Sequence, residues 1–167
     1  ASNRYRSGTS GSLYGCFKNG VGEMKTIGLY IHIPFCIKKC NYCDFNSYEK
    51  LDLIPAYLLA LKKEILTLKN YNFNVKTLYI GGGTPTVLTT DQLFSVFNEL
   101  HKNICIAKDA EITIEANPGT LCRKKLYLLK DLGINRLSIG LQAYQNSLLQ
   151  LMGRIHTIED FKQNFSS

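Results

Sequence analysis

Three of the six cysteines in the chain lie within one short segment, as Cys36, Cys40 and Cys43. Thiolates are the natural ligands of iron-sulfur clusters, and a cubane cluster usually takes four of them. The C-x3-C-x2-C spacing supplies three thiolates on one loop, and no fourth cysteine stands nearby. One iron would then keep an open coordination position, which is typical of reactive metal sites rather than structural ones. The spacing therefore predicts a 4Fe-4S cluster with one open iron.

A zinc-stabilised structural module is the alternative interpretation of the same cysteines, with His32 as the fourth ligand. His32 falls on a predicted strand that points it away from a compact tetrahedral site, so we favour the cluster. Analysis for iron and acid-labile sulfide separates the two interpretations. The isolated Cys105 stands in the apolar run 104–107 and is predicted to be a small buried side chain.

Strands and helices alternate along the chain. The predicted strands are 27–34, 75–81, 111–116 and 136–141, and the clearest helices are 54–68 and 89–101. Thr89 and Gln92 predict a capping box at the second of these helices. Thr120 is predicted to cap a third helix, which Gly133 ends in the left-handed conformation. This order predicts an α/β fold with a parallel sheet and right-handed crossovers.

The alternation within the strands predicts two different faces of the sheet. One face is apolar and suits burial beneath the helices (Ile31, Ile33, Leu78, Ile80, Ile112, Ile114, Leu137, Ile139). The other carries mostly polar side chains (Tyr30, His32, Thr77, Tyr79, Thr113, Glu115, Ser138, Gly140, Gln142). A closed barrel fills its interior mainly with aliphatic side chains, so a polar inner face predicts an open lumen that holds a ligand.

Composition narrows the class of protein. The net charge is +7, but the basic residues are spread along the chain and no nucleic-acid-binding motif accompanies them, so no nucleic-acid partner is predicted. No apolar run approaches the roughly 20 residues of a membrane helix, and no secretory signal is seen. We therefore expect a cytoplasmic protein. Residues 1–23 have the composition of a flexible leader, and Met24 is a candidate start.

Several segments in sequence order resemble the radical S-adenosylmethionine superfamily. They are 30–43, 81–86, 114–119, 135–142 and 153–157, and they are most similar to the branch that contains oxygen-independent coproporphyrinogen III oxidase and the haem chaperones. The resemblance implies a partial (β/α) barrel with about four parallel strand-helix units. Residues 24–167 would be the N-terminal part of the core domain, and the chain would be a fragment of the family's longer barrel.

The resemblance also implies cofactors and the residues that bind them. Cys36, Cys40 and Cys43 match the cluster ligands, whose open iron chelates S-adenosylmethionine before its reductive cleavage. The residues that match adenosylmethionine contacts are Tyr30, Tyr42, Gly82, Gly83, Thr84, Glu115, Gln142 and Arg154. Glu115 suits a ribose diol, and the guanidinium of Arg154 suits the methionine carboxylate.

Phe45 favours one branch member over the other. The resemblance to the oxidase implies a fourth cysteine at this position, whereas phenylalanine here and the segment 117–119 match the haem chaperone. We therefore expect a haem-binding, haem-delivering protein, with the oxidase as the alternative. The implied partners are haem or a porphyrin, a haem-accepting protein and an electron donor for the cluster.

Overall fold

A computed structural model of the chain describes residues 23–166. The predicted leader therefore lies outside the described residues, apart from Glu23, and stays a prediction. The strands are β1 (Lys25–Ile33), β2 (Phe73–Gly82), β3 (Cys105–Ala116) and β4 (Arg136–Ile139). The helices are α1 (Ile54–Thr67), α2 (Thr90–Asn103), α3 (Arg123–Asp131), α4 (Asn146–Leu151) and α5 (Ile158–Phe165), with short 3-10 turns at Leu51–Leu53, Leu68–Asn70 and Pro85–Val87.

The four strands form one sheet in the order β1-β2-β3-β4, and every neighbouring pair is parallel. The predicted α/β fold with four parallel strands is confirmed. Tyr30 pairs with Tyr79, Tyr79 with Thr113, and Glu115 with Ser138. Residues in register point to the same side of a sheet, so the polar residues predicted on the strands form one continuous face. Gly140 and Gln142 were predicted on the fourth strand, but β4 ends at Ile139, so they follow the sheet rather than belong to it.

The opposite face of the sheet carries the core. Ile31, Ile33, Leu78, Ile80, Ile112 and Ile114 are all buried, and they cluster with buried side chains of α1, α2 and α3. Each such aliphatic side chain contributes about 1.5–3 kcal/mol by leaving water. The expectation for Leu137 is wrong, because its side chain is 38% exposed. β4 is an edge strand of the described sheet, so the helices cover it less completely.

Helix ends follow the predicted signals in two of three cases. The capping box of Thr89 and Gln92 at α2 is confirmed, and Gly133 follows α3 with a φ of 89°. The cap predicted at Thr120 is wrong: Cys122 occupies the N-cap position of α3 without a side-chain capping hydrogen bond, and the hydroxyl of Thr120 instead donates to the carbonyl of Asn117 at 2.6 Å. Among residues 23–166, no helix has the length and apolar character needed to span a membrane.

Candidate functional site

The cysteine loop follows β1 and is closed at its base by backbone hydrogen bonds. The amide of Cys36 donates to the carbonyl of Tyr48 at 2.9 Å, and the amide of Tyr48 donates to the carbonyl of Pro34 at 2.8 Å. Within the loop, the amide of Cys43 donates to the carbonyl of Cys40 at 3.0 Å. Cys36 is 7% exposed, while Cys40 and Cys43 are half-buried. The loop thus presents its three thiols from a fixed base.

A second set of contacts holds the far side of the loop against the segment after α4. Asn41 donates its backbone amide to the carbonyl of Met152 at 2.9 Å and its side-chain amide to the carbonyl of Leu151 at 3.0 Å. Gly153 follows with a φ of 74°, and a Cβ there would lie 2.7 Å from Oδ1 of Asn41. Only glycine accommodates both the positive φ and this close contact. Its lack of a side chain lets the cysteine loop approach the segment after α4.

The glycine-rich segment 81–84, at the end of β2, lies alongside the start of the cysteine loop, residues 34–48. The amide of Gly83 donates to the carbonyl of Ile33 at 2.9 Å, and the amide of Thr84 donates to the carbonyl of Phe35 at 2.7 Å. The Thr84 hydroxyl lies 3.6 Å from Sγ of Cys36. Gly82 has a φ of 118°, a conformation that glycine adopts without strain. These contacts place the glycine backbone beside the thiol of Cys36.

Glu115, on the polar face of β3, is held by donors on β2. The Tyr79 hydroxyl donates to its Oε1 at 2.7 Å, and the Gly82 amide donates to its Oε2 at 3.1 Å. The hydrogen bond to Glu115 raises the pKa of the Tyr79 phenol, and its partial burial adds to that effect. The phenol therefore stays protonated at neutral pH and remains a donor. The carboxylate keeps further acceptor positions for a ligand, because each oxygen has two lone pairs.

Arg154 joins the cysteine loop to the ends of β3 and β4. Its Nη2 donates to Oδ1 of Asn117 at 2.8 Å and to the carbonyl of Gly140. Its Nη1 lies 3.2 Å from the hydroxyl of Tyr42 and 3.7 Å from Sγ of Cys40. Burial raises the pKa of the Tyr42 phenol, while the charge of Arg154 opposes that rise. The guanidinium is thus fixed in place, with its positive charge next to the sulfur of Cys40.

These elements enclose a cavity of about 180 Å³ at the carboxyl ends of the strands. It is lined by Cys36, Cys40, Cys43, Tyr42, Gly82, Gly83, Thr84, Glu115, Gln142 and Arg154, which are all of the predicted site residues except Tyr30. Tyr30 lies further back on the same face, where its hydroxyl is 3.0 Å from Nδ1 of His32 and its ring stacks on Tyr79. The structure therefore brings the predicted ligand-binding residues into one cavity.

Asn117 also lines this cavity and was not predicted as a site residue. Its side chain connects Arg154 to Thr84, because Nδ2 donates to the Thr84 hydroxyl at 2.8 Å. The signal in the sequence was that Asn117 belongs to the segment 114–119, which resembles the family, and directly follows the last residue of β3. Gln142, at the cavity wall, has a φ of 71°, which is uncommon for any residue other than glycine and is often found at functional sites.

The chemistry of the donor set suits an iron-sulfur cluster, because it supplies three thiols on one loop. Within residues 23–166, no three His, Cys, Asp or Glu side chains are close enough to hold one metal ion together. A cubane offers a separate iron to each ligand, so its thiolates need not converge on one point. His32 is engaged elsewhere, since Nε2 contacts the carbonyl of Asn46 at 2.8 Å and Nδ1 contacts Tyr30. Both nitrogens therefore have partners, which argues against His32 as a zinc ligand.

Comparison with known proteins assigns the chain to a family. The family model described as the Radical SAM superfamily matches residues 30–166. The chain belongs to the radical SAM superfamily. The matched range contains the three cysteines, the glycine-rich segment and Arg154, which are among the residues that line the cavity.

Curated relatives within the superfamily include several heme chaperones. The chain is 43% identical over 140 residues to Heme chaperone HemW from Buchnera aphidicola subsp. Schizaphis graminum, and 41% identical over 140 residues to HemW from Bacillus subtilis. These alignments cover 80% and 81% of the chain, but only 37% of each relative. The chain thus spans a little over a third of the length of those relatives.

Two further proteins similar to the chain are a coproporphyrinogen III oxidase and an oxidase-like protein. The chain is 36% identical over 143 residues to the oxygen-independent coproporphyrinogen-III oxidase-like protein HemZ from Bacillus subtilis, covering 80% of the chain and 28% of that protein. Among solved structures, coproporphyrinogen III oxidase HemN from Escherichia coli matches with a TM-score of 0.77 and 30% identity. That match covers 92% of the chain and 35% of HemN, so the four strand-helix units correspond to part of a radical SAM enzyme fold.

Proposed function

We propose that this chain binds a 4Fe-4S cluster through Cys36, Cys40 and Cys43 and binds S-adenosylmethionine in the adjoining cavity. The observation that carries the proposal is the cavity itself, which all three thiols line together with Glu115 and Arg154. Membership of the radical SAM superfamily supports it independently. When bound, the reduced cluster supplies an electron to the sulfonium of adenosylmethionine, and the protein binds and orients both groups.

Each part of the cavity wall suits a different part of adenosylmethionine. Gly82 and Gly83 present backbone without side chains, which allows close approach and offers polar groups to the methionine end. Glu115 is positioned by Tyr79 and Gly82 to accept hydrogen bonds from a ribose diol. Arg154 supplies positive charge for the methionine carboxylate. Tyr30, further back on the same face, would act indirectly by stacking on Tyr79.

Anaerobic reconstitution with iron and sulfide tests cluster binding. We expect about four irons per chain, because three thiolates on one loop are sufficient to bind a cubane. Cys36→Ala, Cys40→Ala and Cys43→Ala should each lower the iron and acid-labile sulfide content severely. Cys122→Ala is the matched control, since Cys122 is exposed and lies at the start of α3, outside the cavity lining. Bound zinc without sulfide would instead support the structural module.

Electron paramagnetic resonance of the reduced cluster tests adenosylmethionine binding. Adding adenosylmethionine should change the spectrum, and Glu115→Ala or Arg154→Ala should raise the concentration needed for that change. Glu111→Ala is the control: it removes a carboxylate from the same strand, but this side chain is exposed and outside the cavity lining. Equal effects of all three substitutions would refute the assignment of Glu115 and Arg154.

For the whole protein, we propose a haem chaperone that binds haem and delivers it to an accepting protein. The support is twofold: heme chaperones are among its curated relatives, and Phe45 lines the cavity at the position where the resemblance to the oxidase implies cysteine. The ring is 69% exposed, so it lies at the mouth of the cavity. An electron donor for the cluster is part of the same proposal.

Oxygen-independent coproporphyrinogen III oxidase is the second candidate, favoured by the similarity to HemN and HemZ. The experiment that decides between chaperone and oxidase uses a longer form of the protein, as long as the curated relatives. Haem binding is followed by absorbance, and coproporphyrinogen III is incubated with adenosylmethionine and a reductant without oxygen. We expect haem binding and no protoporphyrinogen IX. Product formed over many turnovers per cluster would instead assign the chain to the oxidase class.

A further inference from the structure

Asn117 occupies the junction between the glycine-rich segment and Arg154. Its Oδ1 accepts from Nη2 of Arg154 at 2.8 Å, and its Nδ2 donates to Oγ1 of Thr84 at 2.8 Å. Its own backbone is fixed by the turn that follows β3, where the amide of Thr120 donates to the carbonyl of Asn117 at 3.1 Å. One side-chain amide therefore connects two parts of the cavity wall that are distant in sequence.

The hydrogen-bonding chemistry of Arg154 and Thr84 determines the orientation of the Asn117 side-chain amide. A guanidinium can only donate hydrogen bonds, so the group that faces Arg154 must be the amide oxygen. The amide nitrogen then faces Thr84, and it can only donate. The Thr84 hydroxyl therefore uses its oxygen as the acceptor for Asn117, and its hydrogen remains available for another partner.

A second neighbour of that hydroxyl is the sulfur of Cys36, 3.6 Å from Oγ1. A cysteine that ligates iron is a thiolate with no hydrogen to donate. The Thr84 hydroxyl must then be the donor in this contact. Asn117 thus selects the rotamer in which the hydroxyl hydrogen points at Cys36, and through Arg154 it also holds Nη1 near the sulfur of Cys40 at 3.7 Å.

We propose that Asn117 is a positioning residue that directs the Thr84 hydroxyl onto the Cys36 sulfur and thereby raises the reduction potential of the cluster. The proposal rests on the proposed 4Fe-4S cluster. Reduction adds negative charge to a cluster and its thiolates, and hydrogen bonds to the sulfurs stabilise that charge. Losing the hydroxyl donor should make the midpoint potential more negative.

A double-mutant cycle between Thr84 and Asn117 tests this coupling. In Asn117→Asp, the carboxylate accepts from Arg154 as before but can no longer donate to Thr84. The Thr84 hydroxyl then donates to the carboxylate and turns away from Cys36. Thr84→Val removes the hydroxyl while keeping a similar shape, and Thr84→Ser retains it. The midpoint potential of the reconstituted cluster, without adenosylmethionine, is measured by redox titration for all variants and for the double variant.

We expect Thr84→Val and Asn117→Asp each to shift the midpoint potential negative, and Thr84→Ser to stay near the original value. In the Thr84→Val background, Asn117→Asp should produce a smaller shift, because only its added charge remains. Strictly additive shifts would overturn the proposal, since Asn117 would then not act through Thr84. Asn98→Asp, a change of the same type on α2 and outside the cavity lining, should leave the potential unchanged.

Iron and sulfide content separates failure of this inference from failure of the proposed function. If the unsubstituted chain binds no cluster, the proposed function fails. If every variant binds a full cluster and the shifts are additive, only the role of Asn117 fails. If Asn117→Asp does not fold, Asn117→Ala replaces it, because alanine removes the donor that fixes the Thr84 hydroxyl. A negative shift with Asn117→Ala then supports the inference, and an unchanged potential overturns it.

Discussion

Gly83 lies where the glycine-rich segment packs directly against the backbone of the cysteine loop. A Cβ at this position would lie 2.6 Å from the backbone oxygen of Phe35, a contact that neither loop can relieve by moving a flexible side chain. The hydrogen bonds from Gly83 to Ile33 and from Thr84 to Phe35 depend on the same close approach. The absence of a side chain at Gly83 therefore sets the spacing between the cysteine loop and the glycine-rich segment.

Gly83→Ala should force these two segments apart. We expect the free energy of unfolding to fall by roughly 1–3 kcal/mol, as for other overpacked sites, and the iron content after reconstitution to fall with it. Urea denaturation and iron analysis measure the two effects. Gly119→Asn is the control, because nothing lies within 4 Å of a Cβ there and asparagine tolerates its positive φ of 83°. Unchanged stability and iron content in Gly83→Ala would show that the loops can separate freely.

Single residues were predictable from sequence where the signal was local or carried by a short motif. The spacing of Cys36, Cys40 and Cys43 pointed to one metal-binding loop, and the resemblance supplied Glu115 and Arg154 as further candidates. The bridge formed by Asn117 was not predictable, because its two partners lie 33 and 37 residues away and meet only in the folded chain. Ordinary polar residues acquire such roles through tertiary contacts that spacing does not encode.

At the scale of elements, β3 is a strand whose start the local alternation of apolar and polar residues does not predict. The alternation predicts a strand from residue 111, whereas β3 begins at Cys105. Val75 pairs with Ile106 and Thr77 with Glu111, so the register shifts and β3 contains extra residues between these pairs. Lys76 and Asp109 form an ion pair at 2.7 Å beside this irregularity. A bulge interrupts the period of two, so the alternation pattern does not reveal the first part of the strand. Cys105, which was predicted to be buried, is half-buried.

We expect two histidines to make the stability of the fold sensitive to pH. His101 lies in the last turn of α2, and His156 follows α4. Burial lowers the pKa of both imidazoles, and at His156 the charge of Arg154 lowers it further. The folded state therefore favours neutral imidazoles, whereas in the unfolded chain they take up protons at about pH 6.5.

The free energy of unfolding should consequently fall as the pH drops below about 6.5, because the unfolded state then binds more protons than the folded state. Above that pH both states carry neutral imidazoles and this contribution is fully present. Urea denaturation at about pH 7.5 and about pH 5 measures the difference, and His101→Gln or His156→Gln should reduce it. A pH dependence that neither substitution changes would assign the effect to other groups.

At the scale of the whole molecule, the described sheet has two edges, β1 and β4. The chain corresponds to about a third of the HemN structure that it matches, and HemN extends well beyond these four units. On the described sheet, β4 pairs with β3 on one side, and its backbone groups on the other side have no strand partner among the described strands. A strand of this kind is a template for pairing with a further strand.

Leu137 makes the β4 edge apolar as well as unpaired. Its side chain belongs to the apolar face of the sheet but is 38% exposed, so pairing with another strand would bury it. We expect the chain to self-associate as its concentration rises, and Leu137→Lys to reduce this, because charged side chains block edge pairing. Sedimentation velocity over a concentration series measures the association. Leu148→Lys is the matched control: it removes a leucine of similar exposure, 42%, from α4 rather than from the sheet edge. If both substitutions reduce association equally, general surface hydrophobicity would be the cause, whereas an effect confined to Leu137→Lys assigns it to the β4 edge.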